Sequence, residues 1–293
     1  MPASKSSWEA LYPFTSKFFH TPEAHRLHYI DEGEGHPVVM LHGNPTWSFM
    51  FRDLVPAVQK AGFRAIALDH LGCGLSDKPQ KWPYQLQGHI DNLEHFIDKE
   101  LKLEQLDLVL HDWGGGVGMG YAVRHPEKIR RVILMNTAAY LSDDCPKRIF
   151  LVRTPFLGAF LVRVLNAFVE AALFMATSRK LPDAVKAGYR HPYRSYRDRI
   201  ATQRFAQDIP LRESHPSRQC LVDIEKGLTK LKDEQFLLCW GAQDFCFHMG
   251  FFDRWKKEFY PNAEAMVFEE ASHYLLEDHG DIIIPKLVQF LSK

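Results

Sequence analysis

The chain has no surplus of either charge and no framework of cysteines. Among its 293 residues, 36 Lys and Arg are balanced by 36 Asp and Glu, which gives a formal net charge of zero. Nucleic-acid-binding domains favour a basic face, so nucleic acid is not an expected partner. The five cysteines are an odd number with neither disulfide nor metal-ligand spacing. They indicate reduced thiols in a cytoplasmic protein, with no metal or other cofactor expected.

Long uninterrupted apolar runs are also lacking. Residues 1–14 have no continuous apolar stretch, so we predict no signal peptide. The most apolar segment, Ile149–Ala176, is broken by Arg153, Pro155 and Arg163, whereas a spanning helix needs about 20 mostly apolar residues. We therefore predict no transmembrane segment. Amphipathic helices packed over a cavity are the favoured interpretation, ahead of attachment to a membrane or to a partner protein.

Short apolar runs, in contrast, recur along the chain and alternate with helical patterns. The runs are HPVVMLHG, RAIALDHLG, LDLVLHDWG, RRVILMNTA, QFLLCWGAQD and AMVFEE. Continuous apolar runs of this length are typical of strands that are buried on both faces. Helical patterns such as LQGHIDNLEHFIDKE and GGVGMGYAVRHPEK lie between them. The alternation predicts an α/β fold with a mostly parallel central sheet flanked by helices.

The alternation stops near Tyr140, and the chain then becomes helical and rich in Phe, Leu, Arg and Pro. This change predicts a helical cap at residues 141–214, inserted between two parts of one core at residues 1–140 and 215–293. Open α/β sheets bind ligands at the carboxyl ends of their strands, where such a cap would sit. The candidate aromatic residues of the cap for lining a pocket are Phe156, Phe160, Phe168 and Phe174.

The turn LDLVL-HDWGGG places Asp112 where an apolar strand meets a glycine cluster. The arrangement resembles a nucleophile elbow, a sharp strand-to-helix turn that lifts one side chain above the sheet. Gly114, Gly115 and Gly116 supply the small residues that let the helix approach. Asp112 replaces the usual serine, and Leu110 replaces the first glycine. From the turn alone, a nucleophile and a helix N-cap are both open interpretations of Asp112.

A carboxylate nucleophile needs different partners from a serine. It is already an anion at pH 7, so it can attack a saturated carbon without a base and form an ester. A base is needed afterwards, to activate the water that cleaves the ester. Asp244 in WGAQDF and His273 in EEASHYLLED follow Asp112 in the order nucleophile, acid, base. We therefore predict Asp112 as nucleophile, His273 as base and Asp244 as supporting acid, with a self-bonded turn as the alternative for Asp244.

The leaving group needs N–H donors that are already in place. Trp113 adjoins the nucleophile and carries an indole N–H, and Asn44 follows the first predicted strand with an amide N–H. Both residues also have structural interpretations, Trp113 as a packing aromatic and Asn44 as a turn residue before Pro45. Next to an aspartate at the elbow, a pair of donors for a leaving anion is the favoured interpretation.

Five motifs together resemble those of the haloalkane dehalogenases, which have the α/β-hydrolase fold: HGNPTWSFMFR, DHLGCGLSDKP, HDWGGG, WGAQDF and SHYLLED. The resemblance spans nearly all of residues 25–291. It implies that Asp112, His273 and Asp244 are catalytic and that Asn44 and Trp113 bind halide. One branch of that family carries its acid after the strand that precedes the cap. Asn136 stands at that position here, so the acid role falls to Asp244.

The cap segments LVRVLNAFVEAA and YRDRIATQRFAQDIPL resemble the third dehalogenase subfamily and also the β-lactone decarboxylases of bacterial long-chain olefin synthesis. The expected substrate is thus a small apolar molecule, a haloalkane or a β-lactone. Hydrolysis of a carbon–halogen bond to alcohol and halide is the leading hypothesis. Decarboxylation of a β-lactone to an alkene is the alternative, and a non-catalytic ligand-binding protein is the third. Relatives of this kind can form large assemblies, so the cap could join copies of the chain.

Overall fold

A computed structural model describes residues 7–293, and its centre is one sheet. The strands of the described residues are β1 Lys17–His20, β2 Arg26–Glu32, β3 Pro37–Leu41, β4 Arg64–Leu68, β5 Leu106–His111, β6 Ile129–Met135, β7 Phe236–Gly241 and β8 Glu264–Phe268. They lie in the order β1-β2-β4-β3-β5-β6-β7-β8. β2 pairs antiparallel with β1 and β4, and the other neighbours pair in parallel.

Helices occupy the connections between these strands. The α-helices of the described residues are α1 Leu54–Lys60, α2 Leu86–His95, α3 Trp113–Arg124, α4 Lys147–Arg153, α5 Pro155–Ala159, α6 Ala167–Met175, α7 Asp183–Arg190, α8 Ile200–Gln207, α9 Arg218–Gly227, α10 Met249–Arg254 and α11 Leu275–Leu291. Wider π-helical turns extend α2, α5 and α10 at Phe96–Glu100, Phe160–Val164 and Trp255–Phe259. Short 3₁₀ turns lie at Trp8–Leu11, Ser48–Phe51, Pro126–Lys128, Leu228–Lys230 and Asp233–Gln235.

The predicted fold class is confirmed. The six apolar runs form β3 to β8, and the two quoted helical patterns form α2 and α3. β1 and β2 were not predicted, because their sequences KFFH and RLHYIDE are not continuous apolar runs. In β2, the imidazole of His28 is fully buried and lies 2.8 Å from the carboxylate of Asp69, so a polar residue occupies an interior position.

The sheet is covered on both faces. Alternate residues of β3 belong to different apolar clusters, Val39 to one and Val38 to the other. The first cluster includes residues of α2, α3 and α9, and the second includes residues of α1 and α11. Burial on both sides explains why β5 and β7 are buried along their whole length.

Helices α4 to α8 lie between β6 and β7, within the segment that we predict to be a cap. A buried ion pair ties this segment to the core. Arg52 donates to both carboxylate oxygens of Glu277, at 2.5 and 2.8 Å, and the hydroxyl of Tyr189 in α7 donates to the same carboxylate at 2.6 Å. Across residues 7–293, no single helix is long and apolar enough to cross a membrane. The segments Pro155–Val164 and Ala167–Met175 meet that test only as a pair bent by 71°.

Candidate active site

Asp112 lies at the corner between β5 and α3. Its φ of 51° and ψ of −125° fall outside the regions that residues with a side chain prefer. Such strain persists only where the surrounding structure enforces it, and it is concentrated at functional sites. The Asp112 side chain makes no capping hydrogen bond to α3, so the N-cap interpretation is not supported.

Close approach of three chain segments explains the glycines of the elbow. A Cβ on Gly115 would lie 1.8 Å from Oγ1 of Thr137, and a Cβ on Gly43 would lie 2.0 Å from Oδ1 of Asp112. At Gly116 the nearest atom would be 3.5 Å away, which is ordinary contact. Small residues are therefore required at the first turn of α3 and beside the carboxylate, but not at Gly116.

His273 connects the carboxylates of Asp112 and Asp244. Its Nδ1 lies 2.7 Å from Oδ2 of Asp244, and its Nε2 lies 3.8 Å from Oδ2 of Asp112. Asp244 follows the end of β7, and His273 follows β8, so adjacent strands deliver the two groups to one edge of the sheet. A neutral His273 that donates from Nδ1 presents the lone pair of Nε2 toward Asp112. This geometry suits a base whose orientation is fixed by an acid.

Asn136 holds Asp244 from the other side. Its Nδ2 donates to Oδ2 of Asp244 at 2.9 Å and to the carbonyl oxygen of Gly241 at 3.1 Å, while its Oδ1 accepts from the N–H of Gly241 at 2.8 Å. The backbone N–H of Cys246 donates to the second oxygen of Asp244 at 2.6 Å. The sequence marked Asn136 only as a missing acid. Its position at the end of β6, beside β7, was the signal for a supporting role.

Asn44 and Trp113 flank the nucleophile. The backbone N–H of Asn44 donates to Oδ1 of Asp112 at 2.6 Å, and Nδ2 of Asn44 donates to the carbonyl oxygen of Thr202 in α8 at 3.0 Å. An amide NH₂ has two hydrogens, so one remains for a ligand. Trp113 is half-buried, packs against Phe205 and lines the same cavity as Asn44. The structure thus brings all five predicted site residues together, and their roles in turnover stay predictions.

Burial and neighbouring charges shift the pKa values of both Asp112 and His273. Burial raises the pKa of Asp112, although His273 and the backbone N–H groups of Asn44 and Trp113 act in the opposite direction. Burial acts to lower the pKa of His273, but Asp244, and to a smaller extent Asp112, outweigh it, so the pKa of His273 is raised. Conversion of Asp112 to an ester would remove one of these anions. His273 would then lose its proton more readily.

A cavity of about 460 Å³ begins at these residues and extends beneath the cap. Most of its lining is apolar. The core contributes Leu86, Ala138, Leu221 and Phe251, and the helices of the cap contribute Leu161, Phe168, Ala172 and Met175. An apolar cavity with a few convergent polar groups is the usual form of a site for a small apolar ligand.

Of the four aromatic residues that we considered for the cavity lining, the structure places only Phe168 there. Phe156, Phe160 and Phe174 are 92%, 51% and 84% exposed, so the expectation is wrong for these three. Phe168 and Phe174 are six residues apart on one helix, which at about 3.6 residues per turn puts them on different sides.

Within residues 7–293, one group of side chains is close enough to hold a metal ion: Glu94, Asp98 and His125. This group does not line the cavity. Arg124 donates to Glu94 at 2.7 Å, and Lys128 donates to Asp98 at 2.7 Å, so cations of the chain already neutralise its carboxylates.

The class of protein follows from the fold together with comparisons to known proteins. A family model described as the alpha/beta hydrolase fold matches residues 36–280. The chain belongs to this family, on the branch that contains the haloalkane dehalogenases and the cis-3-alkyl-4-alkyloxetan-2-one decarboxylases. The resemblance stated from the motifs is therefore confirmed.

Individual relatives fall into both groups. The chain is 41% identical to a cis-3-alkyl-4-alkyloxetan-2-one decarboxylase of Shewanella oneidensis, over 97% of this chain and 91% of that protein. It is 31% identical to haloalkane dehalogenase 2 of Mycobacterium tuberculosis, over 95% of this chain and 96% of that protein. The crystal structure of the haloalkane dehalogenase DbeA from Bradyrhizobium elkani superposes with a TM-score of 0.83 at 26% identity, covering 95% of this chain and 98% of the other.

Proposed function

We propose that the protein is a β-lactone decarboxylase that converts a cis-3,4-dialkyl oxetan-2-one into a cis alkene and carbon dioxide. The observation that carries the proposal is the Asp112 carboxylate at the elbow, opening into an apolar cavity of about 460 Å³. The choice of substrate is supported by the decarboxylases of Shewanella oneidensis and Xanthomonas campestris, with which this chain shares 41% and 35% identity. The dehalogenase hypothesis that led from the sequence becomes the second candidate.

In the first step, Oδ2 of Asp112 attacks C4 of the lactone ring from the side opposite the ring oxygen. This oxygen is the one that does not accept from the backbone N–H of Asn44. The C4–O bond breaks, an aspartyl ester forms, and the ring oxygen leaves as part of a carboxylate. The side-chain N–H groups of Asn44 and Trp113 stabilise that carboxylate, because both side chains line the cavity next to the nucleophile.

In the second step, the C3–carboxylate bond breaks and its electron pair forms the C3=C4 double bond. The ester C–O bond breaks at the same time and returns its electron pair to Asp112. Carbon dioxide and the alkene leave, and neither water nor an external proton is consumed. Inversion at C4 followed by anti elimination turns a cis lactone into a cis alkene. His273, whose own pKa is raised, acts to lower the pKa of Asp112 and so favours its ionised form.

Haloalkane hydrolysis is the second candidate, and the pair formed by His273 and Asp244 favours it. The decarboxylation route needs no water, whereas hydrolysis of an aspartyl ester needs a base held in this way. In that route Asp112 displaces halide from carbon, Asn44 and Trp113 bind the halide, and His273 deprotonates the water that frees the alcohol. The loss of charge on Asp112 in the ester state would lower the pKa of His273 and suit it to that task.

The experiment that separates the candidates supplies both substrates to the same purified protein. A cis-β-lactone with two long alkyl chains is followed for alkene by gas chromatography, and a 1-bromoalkane is followed for bromide. We expect rapid formation of cis alkene by the natural protein and none by Asp112→Asn. Asp143→Asn, at an exposed position, is the matched control and should be fully active. Bromide release without alkene would select the second candidate, and inactivity with both substrates would exclude both.

A further inference from the structure

The cap carries an exposed strip of apolar side chains. Among residues 7–293, eleven large hydrophobic side chains are exposed, and eight of them lie between Phe150 and Phe174. We call these eight the apolar ridge; Phe156 and Phe174 are its most exposed members, at 92% and 84%. A concentration of this kind on the surface usually marks a site of interaction with a protein or a membrane.

The same helices are apolar on their inner side as well. Leu161, Phe168 and Met175 line the catalytic cavity, while Phe160 and Phe174 face outward from the same segments. A helix at the surface of a globular protein normally exposes polar residues on the side away from the core. The outer side of these helices is therefore suited to an apolar environment that the chain itself does not provide.

The charge of the cap indicates what that environment is. Residues 141–214 contain thirteen Lys and Arg but seven Asp and Glu, whereas the rest of the chain contains twenty-three and twenty-nine. The net charge of zero is thus the sum of a basic cap and an acidic core. Lys147 and Arg148 begin α4, Arg179 and Lys180 follow α6, and all four are exposed.

None of these four cations forms an ion pair within the described residues, although the guanidinium of Arg179 lies 3.1 Å from Nδ1 of His279. Within the described part of the chain, the Lys and Arg of the cap that form ion pairs are Lys186 and Arg190. The guanidinium of Arg148 lies 3.8 Å from Sδ of Met175, so the cations at the start of α4 are close to the end of α6. The cations therefore lie at the two ends of the segment that carries the apolar ridge, beside the helices of Phe150 and Phe174.

We infer that this surface docks on an anionic lipid membrane, with the phenylalanines of the apolar ridge inserted among the acyl chains and the flanking cations at the phosphate groups. Interfacial helices combine an apolar side of this kind with Lys and Arg that bind anionic lipid. A second copy of the chain fits less well, because a symmetric contact would bring the unpaired cations of both copies together. If the proposed function holds, a long-chain substrate dissolved in the lipid would meet the cavity from the membrane side.

Flotation of the purified full-length protein with lipid vesicles tests the inference without any substrate. One set of vesicles contains phosphatidylcholine alone, and the other contains phosphatidylcholine with phosphatidylglycerol. We expect binding to the anionic vesicles, weaker binding to the neutral ones, and loss of binding as salt is raised. A failure here would leave the lactone assay unaffected, so the two proposals fail separately.

Substitutions test whether vesicle binding depends on the apolar ridge and its flanking cations. Phe156→Ser with Phe174→Ser should weaken binding by roughly tenfold or more for each phenylalanine removed. Lys147→Gln with Lys180→Gln should weaken it for anionic vesicles only. Ile282→Ser, at a position that is 47% exposed outside the cap, should bind like the natural protein. None of these side chains lines the cavity, so turnover of a short, water-soluble lactone should be unchanged in all of them.

Two results of the vesicle assay would contradict membrane docking by the apolar ridge. Equal binding by the phenylalanine variant and the natural protein, or no binding to anionic vesicles, would overturn the inference. Sedimentation of the protein without lipid tests whether the apolar ridge instead joins copies of the chain. A stable oligomer that the two phenylalanine substitutions convert to a monomer, with no vesicle binding by either form, would assign the apolar ridge to contacts between copies and also overturn it.

Discussion

The amide of Asn136 and the carboxylate of Asp244 are joined by a 2.9 Å hydrogen bond that fixes Asp244 against His273. Asn136 sits in the left-handed region, with φ of 37°, and also bonds both backbone groups of Gly241. Asn136 therefore links the ends of β6 and β7 next to Asp244, and it contacts the site through Asp244 without lining the cavity.

Asn136→Gly tests the link that Asn136 makes between the ends of β6 and β7, because glycine tolerates a positive φ. The substitution leaves the buried N–H of Gly241 without its partner. We expect the free energy of unfolding to fall by about 1–3 kcal/mol, the usual cost of such a group. Denaturant titration measures it, with the exposed turn residue Asn262→Gly as control. Equal stability of the two variants would contradict the assignment.

Trp113→Phe tests the donor role of the indole while keeping an aromatic side chain on the cavity wall. Loss of one preset donor typically costs about 2.7–4 kcal/mol of barrier, or about 10²–10³ in rate. We expect a decrease of that order in kcat for lactone opening. Trp82→Phe, at a tryptophan that does not line the cavity, is the control. An unchanged kcat in Trp113→Phe would remove the indole from the mechanism.

The pH dependence of turnover should report the ionisation of Asp112. Turnover needs the ionised form of Asp112, and the pKa of Asp112 is raised. The acid limb of kcat/KM should therefore lie at a pH above the pKa of a free aspartate, which is about 3.9. His273 acts to lower this pKa. In His273→Phe the acid limb should therefore move to higher pH. A limb that stays in place or moves to lower pH would show that the two groups are not coupled.

Asp112→Asn should be inactive yet more stable at neutral pH. Burial raises the pKa of Asp112 in the folded state, so folding favours its protonated form. The resulting cost to stability is absent below the unfolded-state pKa and grows as pH rises through the folded-state pKa. Asparagine removes that cost and also tolerates a positive φ. We expect a higher Tm at pH 7 than for the natural protein and no gain at strongly acid pH; a lower Tm at pH 7 would contradict this account.

The sequence was most informative where local pattern and chemistry coincide. The strands buried on both faces are continuous apolar runs, and Asp112, Asp244 and His273 each follow such a run, so their meeting could be predicted. Strand β2, which lies between β1 and β4, was missed because the buried His28 interrupts its apolar pattern. Its interior position depends on a partner, Asp69, that is distant in sequence.

The outward direction of the cap phenylalanines could not be predicted for a different reason. The helices α4 to α6 are apolar on both sides, so the usual rule that apolar residues face inward does not distinguish Phe168 from Phe174. Only the position of the cavity, on one side of α6, distinguishes the inward Phe168 from the outward Phe174. The role of Asn136 likewise depends on strand register, which pairs Met135 with Cys239.

The most direct test of the proposed mechanism is a rapid acid quench of the natural protein with the cis lactone, followed by mass analysis of its peptides. The ester forms before carbon dioxide leaves, so we expect the peptide that carries Asp112 to gain the full mass of the lactone, and that gain to be absent in Asp112→Asn. Absence of any adduct, together with alkene formation by Asp112→Asn at an undiminished rate, would contradict covalent attack by this carboxylate.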